Sequence, residues 1–389
     1  MNFESGTVGR APGKRMRRVL ISAAVLLAGV VAILIAASYL LAQPPFGAPL
    51  SEAQRQRAQA NAHYHGHQFV NDVPPAAYTL ADIRALLSGQ FLGKEVRIPP
   101  AALPIVEVDK QALARTPAAP GLRALWIGHA CVYIEIDGLR VLVDPMFSDY
   151  ASPFELGPRR FQPPPVALDE LPPIDVVLVT HDHYDHLDMA SVKHLAARGA
   201  TFLVPLGIGA HLQRWGVPAA QVYELEWWQE HIAGSVRFVS TPARHYSGRG
   251  LTDANATLWT SWSVLGAQQR FFVSGDTGYS DHFRVIGERF GPFDLSFMKI
   301  GAYGPGAPWL DIHMSVEDAL RGHREVRAKR LFPVHWGTFN LAFHDWDEPI
   351  KRAVAVAKTS GVELLTPRLG EFVDAQTPLP FNPWWESVR

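Results

Sequence analysis

The sequence predicts an α/β protein in which two β-sheets carry helices on their outer faces, preceded by a single apolar helix. Three observations favour this class. Short apolar runs meet at the turn Asp137-Gly138, as hairpin strands do. Later apolar runs alternate with helical segments, and residues 19–42 contain no charge. Hairpins mixed with strand–helix units favour two sheets over one parallel sheet.

The composition restricts the class of protein further. The chain has 389 residues, of which 48% are hydrophobic and 19% charged, so it can bury a large core. Its net charge of -1 disfavours a nucleic-acid partner, because binding a polyanion calls for a basic surface. The single cysteine, Cys131, excludes an intrachain disulfide and a cysteine-rich zinc site.

The first element is a predicted membrane anchor at residues 19–42. A helix of this length spans about 36 Å, enough to cross a hydrocarbon core of about 30 Å. Basic residues precede it at Arg10, Lys14, Arg15, Arg17 and Arg18. Under the positive-inside rule residues 1–18 form a short cytoplasmic tail, and the rest of this single-pass protein lies outside the cytoplasm, in the periplasm if the source is bacterial.

A cleaved signal peptide is the competing interpretation of the same segment. Signal peptides have an apolar core of about 7–15 residues, which is shorter than the run found here. The small residues Ala36-Ala37-Ser38 could nevertheless serve as a cleavage site.

Residues 43–119 are predicted to be a linker and an N-terminal extension. Prolines dominate residues 43–50, Ser51 can cap a short helix to about Ala62, and a second helix fits Thr79 to Leu87. We expect this extension to pack on the main domain or to cover an opening.

The main domain is predicted from residue 120 to residue 372, and residues 373–389 are predicted to be a C-terminal tail. Helices are expected over 188–198, 315–326 and 349–360. Strands are expected at 122–126, 132–136, 140–143, 175–180, 201–204, 236–240, 258–265, 270–274, 295–300 and 330–334.

The motif His181-Asp182-His183-Tyr184-Asp185-His186 follows a predicted buried strand and precedes a helix. Two histidines two residues apart in extended backbone project to the same side and can bind one ion. Asp185 and His186 lie where the chain turns into the helix, so they point elsewhere. This geometry predicts two metal ions about 3.5–4 Å apart.

Further ligands are expected after later strands. His181, His183 and His245 are assigned to the first metal, and Asp185, His186 and His335 to the second. Asp276, in Ser-Gly-Asp-Thr-Gly-Tyr, can bridge both. Imidazole and carboxylate ligands without a thiolate suit two Zn²⁺ best, with iron or manganese as alternatives.

These motifs resemble the metallo-β-lactamase superfamily over roughly residues 120–370, and more closely the N-acyl phosphatidylethanolamine-hydrolysing phospholipase D family. Other short segments that match this family surround the metal motif. They are Trp-Ile-Gly-His-Ala (126–130), Val-Asp-Pro-Met-Phe-Ser (143–148), Gly-Pro-Arg-Arg-Phe (157–161), Ile-Gly-Ala-Tyr (300–303) and His-Trp-Gly-Thr-Phe (335–339).

The resemblance implies a four-layer αβ/βα sandwich with the metals at the sheet edges. It adds Tyr184 and His313 as substrate-contact candidates. Asp144 and His129 resemble groups that anchor a loop or orient a ligand imidazole. Asp144 could equally cap a turn before Pro145, and Tyr184 could be a packing aromatic.

The resulting hypothesis is a membrane-anchored, zinc-dependent phosphodiesterase of the phospholipase D type, acting on N-acyl phosphatidylethanolamine or a related phospholipid. A hydroxide bridging the metals would attack the phosphorus, with Asp185 and Asp276 as the catalytic carboxylates. Trp227-Trp228 could contribute to lipid contact or simply fill the core. The animal enzyme of this family has no membrane-spanning helix, so a predicted anchor puts the natural lipid in question.

Two alternatives come from other reactions and other classes. A carboxyl-ester hydrolase similar to the ascorbate-6-phosphate lactonases would have the same Gly-His and Asp-Pro dipeptides in its sequence motifs. A non-catalytic, membrane-tethered metal-binding module would have the same anchor, but such a protein would be free to lose ligands. The sequence does not predict an oligomeric state.

Overall fold

The computed structural model describes residues 13–388. Two compact units are present, one ending at Phe46 and one beginning at Gly47. Most of the predicted cytoplasmic tail, residues 1–12, lies outside the described part of the chain.

The first unit consists mainly of helix α1, Lys14–Leu41. Its segment Arg15–Leu41 is long and apolar enough to cross a membrane, and its side chains are exposed along the helix. A short 3₁₀ turn follows at Pro44–Phe46. This helix is compatible with the predicted single-pass anchor, while the orientation across a membrane stays a prediction.

The second unit contains nine further helices among its described residues. They are α2 Glu52–Ala60, α3 Leu80–Leu92, α4 Lys110–Ala114, α5 Met189–Ala197, α6 Ile208–Arg214, α7 His282–Phe290, α8 Ala307–Leu310, α9 Val316–Glu325 and α10 Glu348–Ser360.

Sixteen strands are found in the same part of the chain. They are β1 Tyr64–His65, β2 Gln68–Phe69, β3 Leu122–Gly128, β4 Cys131–Ile136, β5 Leu139–Val143, β6 Val176–Leu178, β7 Thr201–Pro205, β8 Val222–Leu225, β9 Glu230–Ala233, β10 Val236–Thr241, β11 Ser261–Leu265, β12 Arg270–Val273, β13 Phe293–Lys299, β14 Ala328–Val334, β15 Glu363–Leu364 and β16 Phe372–Asp374.

Two seven-stranded mixed sheets form the centre of this unit. The first has the strand order β16-β3-β4-β5-β6-β7-β8, and the second has the order β15-β14-β13-β12-β11-β10-β9. In each sheet antiparallel pairs on one side continue into parallel pairs on the other.

Alternating side chains of the first sheet reach two different cores. Val176 and Leu178 of β6 face the second sheet, with Phe271 and Phe297 in the same apolar cluster. Val177 points the opposite way, into a cluster with residues of α5 and α6. Helices α7, α9 and α10 cover the outer face of the second sheet. The predicted four-layer αβ/βα arrangement is therefore confirmed.

Some short elements were not predicted from the sequence. These are helices α4, α6, α7 and α8 and strands β1, β2, β8, β9, β15 and β16, most of which have few residues and no clear alternation. Strand β11 also begins later than predicted, at Ser261, because residues 258–260 form loop contacts.

The structure groups the chain differently from the predicted boundaries at residues 119 and 372. Leu103 lies in the core between the sheets, and Phe69 packs in a third apolar cluster with Trp259. At the other end β16 pairs with β3, and Trp384 and Trp385 are buried in the main core. The second compact unit therefore includes the predicted extension from Gly47 onward and the predicted tail.

The tryptophan pair considered for lipid contact lies in the interior or is covered. Trp227 is buried, and its indole nitrogen donates to the carbonyl oxygen of Trp259 over 2.6 Å. The guanidinium of Arg289 lies 4.0 Å from the ring centre of Trp228. The core-filling interpretation of this pair is the one that fits the structure.

Candidate metal centre

The candidate ligands lie at the carboxyl ends of strands from both sheets. The motif 181–186 follows β6, His245 follows β10, Asp276 follows β12 and His335 follows β14. His129 follows β3 and Asp144 follows β5 in the same way. Because these strand ends meet at one edge of the sandwich, the side chains converge although they span 207 positions of the sequence.

Three of these residues have left-handed backbone conformations. The φ angles are 55° for His129, 41° for Asp144 and 64° for His335. Residues other than glycine rarely adopt positive φ, and such conformations persist where the surrounding structure enforces them. At each position the conformation turns the side chain out of its strand and into the centre.

The first predicted metal site is formed by His181, His183 and His245, whose nitrogens lie within 4.8 Å of one another. Nε2 of His181 is 2.9 Å from Nδ1 of His183, and Nε2 of His245 is 3.4 Å from the same atom. Ligand atoms around a tetrahedral zinc, at about 2.0–2.1 Å from the ion, lie about 3.3 Å apart. These three nitrogens therefore have the spacing of a shared cation site.

The second predicted site is formed by Asp185, His186 and His335 beside Asp276. Oδ2 of Asp185 lies 3.3 Å from Nε2 of His186 and 3.5 Å from Nε2 of His335. Oδ2 of Asp276 lies 3.4 Å and 2.9 Å from the same two nitrogens. Asp276 also groups with His181 and His186, which is the position expected for a carboxylate shared between two sites.

The unpaired atoms of this cluster fit metal ions. Nε2 of His186, Oδ1 of Asp276 and Nε2 of His335 are buried and make no hydrogen bond within residues 13–388. A buried polar atom without a partner is costly, and a cation would satisfy all three. The donor set is imidazole and carboxylate only, which suits zinc, iron or manganese.

The protonation states of His181, His245 and Asp276 also fit. Burial lowers the pKa of His245 to about 3 and moves the pKa of His181 well below its usual value. Both rings are therefore neutral near pH 7, which is the form that binds metal. Burial alone would raise the pKa of Asp276, but the imidazoles of His335 and His186 hold it well below its usual range, so this carboxylate is ionised.

Hydrogen bonds link Asp144 to one predicted ligand in each of the two metal sites. Its Oδ2 accepts from Nδ1 of His186 and from the hydroxyl of Thr180, each over 2.8 Å. The Thr180 hydroxyl in turn lies 3.0 Å from Nδ1 of His181. One fully buried carboxylate thus fixes the orientation of one ring in each site, which is the orienting role that the resemblance implied.

Replacing Asp144 with asparagine should weaken metal binding by about 10–100-fold while leaving the protein folded. Both carboxylate oxygens of Asp144 accept hydrogen bonds, whereas the amide of asparagine has only one acceptor oxygen. Competition titration against a chelator measures this affinity. The matched control is Asp149→Asn, since Asp149 is exposed and has only a 3.7 Å ion pair with Arg159. Equal affinities of the two variants would contradict the orienting role.

His129 lies next to the second site. Its Nε2 is 2.8 Å from Oδ2 of Asp185, and its carbonyl oxygen accepts from the backbone nitrogen of His335 over 3.0 Å. Burial lowers the pKa of His129 to about 3, so the neutral ring donates to Asp185 through Nε2. The structure therefore joins His129 to one predicted ligand by its side chain and to another by its backbone.

His245 is fixed by a residue that the sequence reasoning missed. Its Nδ1 lies 2.9 Å from the carbonyl oxygen of Ile312, which leaves Nε2 to face His183. Asn71 makes two hydrogen bonds with the backbone of His245 and accepts a third from Trp259. Asn71 lies 174 positions earlier in the chain. The only indication of its contact with His245 in the sequence is a weak match of Phe-Val-Asn at 69–71 to the family.

A cavity of about 370 Å³ opens in front of the cluster. Asp185, Asp276 and His335 form its polar floor, and Trp309, Ile312 and Leu341 contribute apolar walls. A volume of this size is ordinary for a small-molecule site.

The two predicted substrate-contact residues both line this cavity. Nδ1 of His313 is 3.5 Å from Oδ2 of Asp276 and forms no hydrogen bond to any residue described. The hydroxyl of Tyr184 donates to the carbonyl oxygen of Arg249 over 2.6 Å, so its ring is held as part of the wall. His313 also groups with His245 and Asp276, close enough to act on a metal-bound group.

The four-layer sandwich and the clustered ligands define a metal-dependent hydrolase class, and the chain belongs to the β-lactamase superfamily. The model of the Beta-lactamase superfamily domain matches residues 139–336. An uncharacterized protein of Mycobacterium tuberculosis is 42% identical over 85% of this chain and 89% of its own length.

The chain is also related to the N-acyl-phosphatidylethanolamine-hydrolyzing phospholipases D. Phospholipase D 1 of this type from Caenorhabditis elegans is 39% identical over 57% of this chain and 65% of the worm protein.

Solved structures share the fold at low sequence identity. A metallo hydrolase from Ignicoccus hospitalis has a TM-score of 0.51 at 20% identity, covering 67% of this chain and 99% of that protein. A diiron β-hydroxylase from Streptomyces venezuelae also has a TM-score of 0.51 at 20% identity, covering 66% of this chain and 54% of its own.

Proposed function

We propose that this protein is a membrane-anchored dinuclear metal hydrolase that cleaves the phosphodiester bond of N-acyl phosphatidylethanolamine or a related phospholipid. The observation that carries the proposal is the convergence of seven imidazole and carboxylate side chains, four of which, His183, Asp185, Asp276 and His335, line an open cavity. The relationship to the worm phospholipase supports the lipid substrate.

The chain would hold one cation through His181, His183 and His245 and a second through Asp185, His186 and His335, with Asp276 between them. Cations bound there would supply Lewis acidity, lowering the pKa of a water and neutralising charge on phosphoryl oxygens. Zinc is the metal that we propose for this donor set, although the same fold occurs in a diiron protein of Streptomyces venezuelae.

Residues of the chain then position the reacting phosphate. His313 faces the cavity beside Asp276, and burial together with the charge of Lys299 lowers the pKa of His313 well below its usual value. A neutral imidazole at this place can donate one hydrogen bond to a phosphoryl oxygen or to the departing oxygen. The ring of Tyr184 lines the same cavity.

The size of the cavity restricts how a phospholipid could bind. A volume of about 370 Å³ holds a phosphate and its immediate substituents but not two acyl chains as well. The apolar wall formed by Trp309, Ile312 and Leu341 suits the beginning of an acyl or glyceryl group. Most of the lipid would therefore stay outside the cavity during the reaction.

A lipid hydrolysis assay tests this proposal directly. Detergent-solubilised full-length protein, loaded with Zn²⁺, is given N-acyl phosphatidylethanolamine and unmodified phosphatidylethanolamine in parallel, and products are separated by mass spectrometry. We expect phosphatidic acid and the N-acylethanolamine from the first lipid, with little cleavage of the second.

The same preparation without metal, after dialysis against a chelator, is the control and should be inactive. Inertness toward both phospholipids, together with hydrolysis of a lactone or carboxyl ester, would move the assignment to an ester hydrolase. Metal binding without hydrolysis of any ester would favour a non-catalytic module.

A further inference from the structure

Arg244 connects three separate segments of the chain next to the metal centre. It directly precedes the predicted ligand His245, and its side chain is only 11% exposed. Nη1 of its guanidinium lies 2.6 Å from Oδ1 of Asp311, while Nε and Nη2 donate to the carbonyl oxygens of Val73 and Pro74, each over 2.9 Å. A planar guanidinium has donors in several directions and is suited to such a junction.

The first segment that Arg244 holds is the strap, which we define as residues 72–78. All of its residues are exposed, and within the described chain none of them forms a backbone-to-backbone hydrogen bond. The backbone nitrogen of Ala76 donates to Oδ2 of Asp311 over 2.7 Å. The strap ends at Tyr78, which lines the cavity. Three hydrogen bonds from the ion pair of Arg244 and Asp311 therefore fix the middle of the strap.

The second segment is 307–313, which carries Asp311 and ends at the substrate-contact candidate His313. Backbone nitrogens of Asp311, Ile312 and His313 donate to carbonyl oxygens within the same segment over 2.8–3.1 Å. Trp309, Ile312 and His313 line the cavity. Because the segment is internally bonded, a displacement of Asp311 would be transmitted to His313.

The third segment is the turn after Asp276, to which both members of the pair are attached. The carbonyl oxygen of Arg244 accepts from the backbone nitrogen of Gly278 over 2.8 Å, and its backbone nitrogen donates to the hydroxyl of Thr277 over 2.9 Å. Gly278 also lies against Asp311, since a Cβ there would be 1.9 Å from the carbonyl oxygen of Asp311. The ion pair is therefore fixed with respect to the metal centre.

We propose that Arg244 and Asp311 form a positioning pair for the substrate site, which holds Tyr78 and His313 at the cavity in a fixed place relative to the metal centre. The pair acts through these two residues, which line the cavity from the two segments that it joins. A substrate in the cavity would meet the imidazole of one segment and the phenol of the other. This inference deepens the proposed function and rests on it, because it requires that the substrate binds in this cavity.

The first test measures the position of the two segments and requires no activity. Backbone hydrogen exchange is followed by mass spectrometry on full-length, Zn²⁺-loaded protein in detergent, for the wild type, Asp311→Asn and Arg244→Lys. Asparagine has one acceptor oxygen where the carboxylate uses two, and lysine lacks the planar fork that reaches three acceptors at once. The control is Glu317→Gln, because Glu317 also pairs over 2.6 Å, with Arg352, but lies on α9.

We expect peptides that cover residues 71–80 and 307–316 to exchange about fivefold faster or more in both variants, because the strap loses the bonds that hold it. The Glu317 control should match the wild type, and all variants should keep the wild-type metal content. Unchanged exchange in the two segments would overturn the proposal, whether or not the protein hydrolyses any phospholipid.

The second test asks whether the pair acts through His313. Values of kcat and KM for bis(p-nitrophenyl) phosphate are measured for Asp311→Asn, His313→Ala and the double variant. We expect Asp311→Asn to lower kcat/KM about tenfold in the wild type but less than about threefold in the His313→Ala background, since residues that act as a unit are not additive.

An undiminished loss in the His313→Ala background would show that Asp311 only supports the fold, and it would overturn the positioning role. A wild-type protein that hydrolyses no phosphodiester would instead refute the proposed function. The exchange measurement would then decide the inference about the pair by itself.

Discussion

Replacing Asp276 with asparagine is expected to reduce hydrolysis by more than about 100-fold, beyond the usual effect of residues that only support a metal ligand. Oδ2 of Asp276 lies 2.9 Å from Nε2 of His335 and 3.4 Å from Nε2 of His186, and it groups with His181 of the first site. An amide at this position keeps the shape but removes the negative charge that two cations would share.

The measurement is kcat/KM together with metal content by mass spectrometry of the purified variant. We expect the variant to lose at least one of two bound metals and to remain folded. The control is Asp281→Asn, because Asp281 lies five positions later and is exposed, with only a long contact to Arg284. Full metal content and full activity in the Asp276 variant would exclude a bridging role.

Replacing Gly301 with alanine is expected to lower the free energy of unfolding by about 3 kcal/mol and to weaken metal binding, since overpacking a closed site forces the backbone apart. A Cβ at Gly301 would lie 2.1 Å from the carbonyl oxygen of His335. Strands β13 and β14 are paired up to this point, and Ile300 donates to Val334 over 3.0 Å. The methyl group would therefore displace the end of β14 that carries His335.

Chemical denaturation and chelator competition measure the two effects separately. Gly250→Ala is the control, because its Cβ would meet Oδ1 of Asp253 at 3.4 Å, an ordinary contact. A Gly301 variant with unchanged stability and unchanged metal affinity would show that the close approach of the two backbones is not required. Loss of metal affinity without loss of stability would show that the substitution displaces His335 without disrupting the packing around it.

A buried cation also lies near this turn. The ammonium group of Lys299 donates to the carbonyl oxygen of Gly301, and burial lowers the pKa of Lys299 to about 8. Lys299 also lines a small internal cavity together with Asp144, Asp276 and His335. The turn after β13 therefore contacts the residues of the site, and its Ala302 also lines the substrate cavity. The sequence motif Ile-Gly-Ala-Tyr did not reveal these contacts.

The metal cluster could be predicted because its residues come at strand ends. Four candidate ligands lie within six positions, His181 to His186. His181 and His183 share one side of extended backbone, and the turn into the helix directs Asp185 and His186 elsewhere. His245, Asp276 and His335 each follow an apolar run. Their location at the edge of a sheet could therefore be predicted without knowing which residues they contact. Their roles as ligands stay predictions, while their convergence is a property of the structure.

The supporting residues could not be predicted in the same way. Asn71 fixes the backbone of His245 from 174 positions away, and its local sequence offers only the weak Phe-Val-Asn match at 69–71 as an indication. Trp227 looked suitable for an interface because tryptophan is amphipathic, yet it is buried against Trp259. In both cases the outcome depended on which distant segment packs nearby.

The sequence by itself determined the α/β class, the apolar N-terminal helix and the residues that can bind metal, because these follow from local periodicity and the chemistry of a short motif. Only the tertiary structure decided that residues from Gly47 onward belong to one compact unit and that helix α3 leaves large apolar side chains exposed. Those features arise from packing between segments far apart in the chain, and no local pattern encodes which surfaces will meet and which will remain exposed.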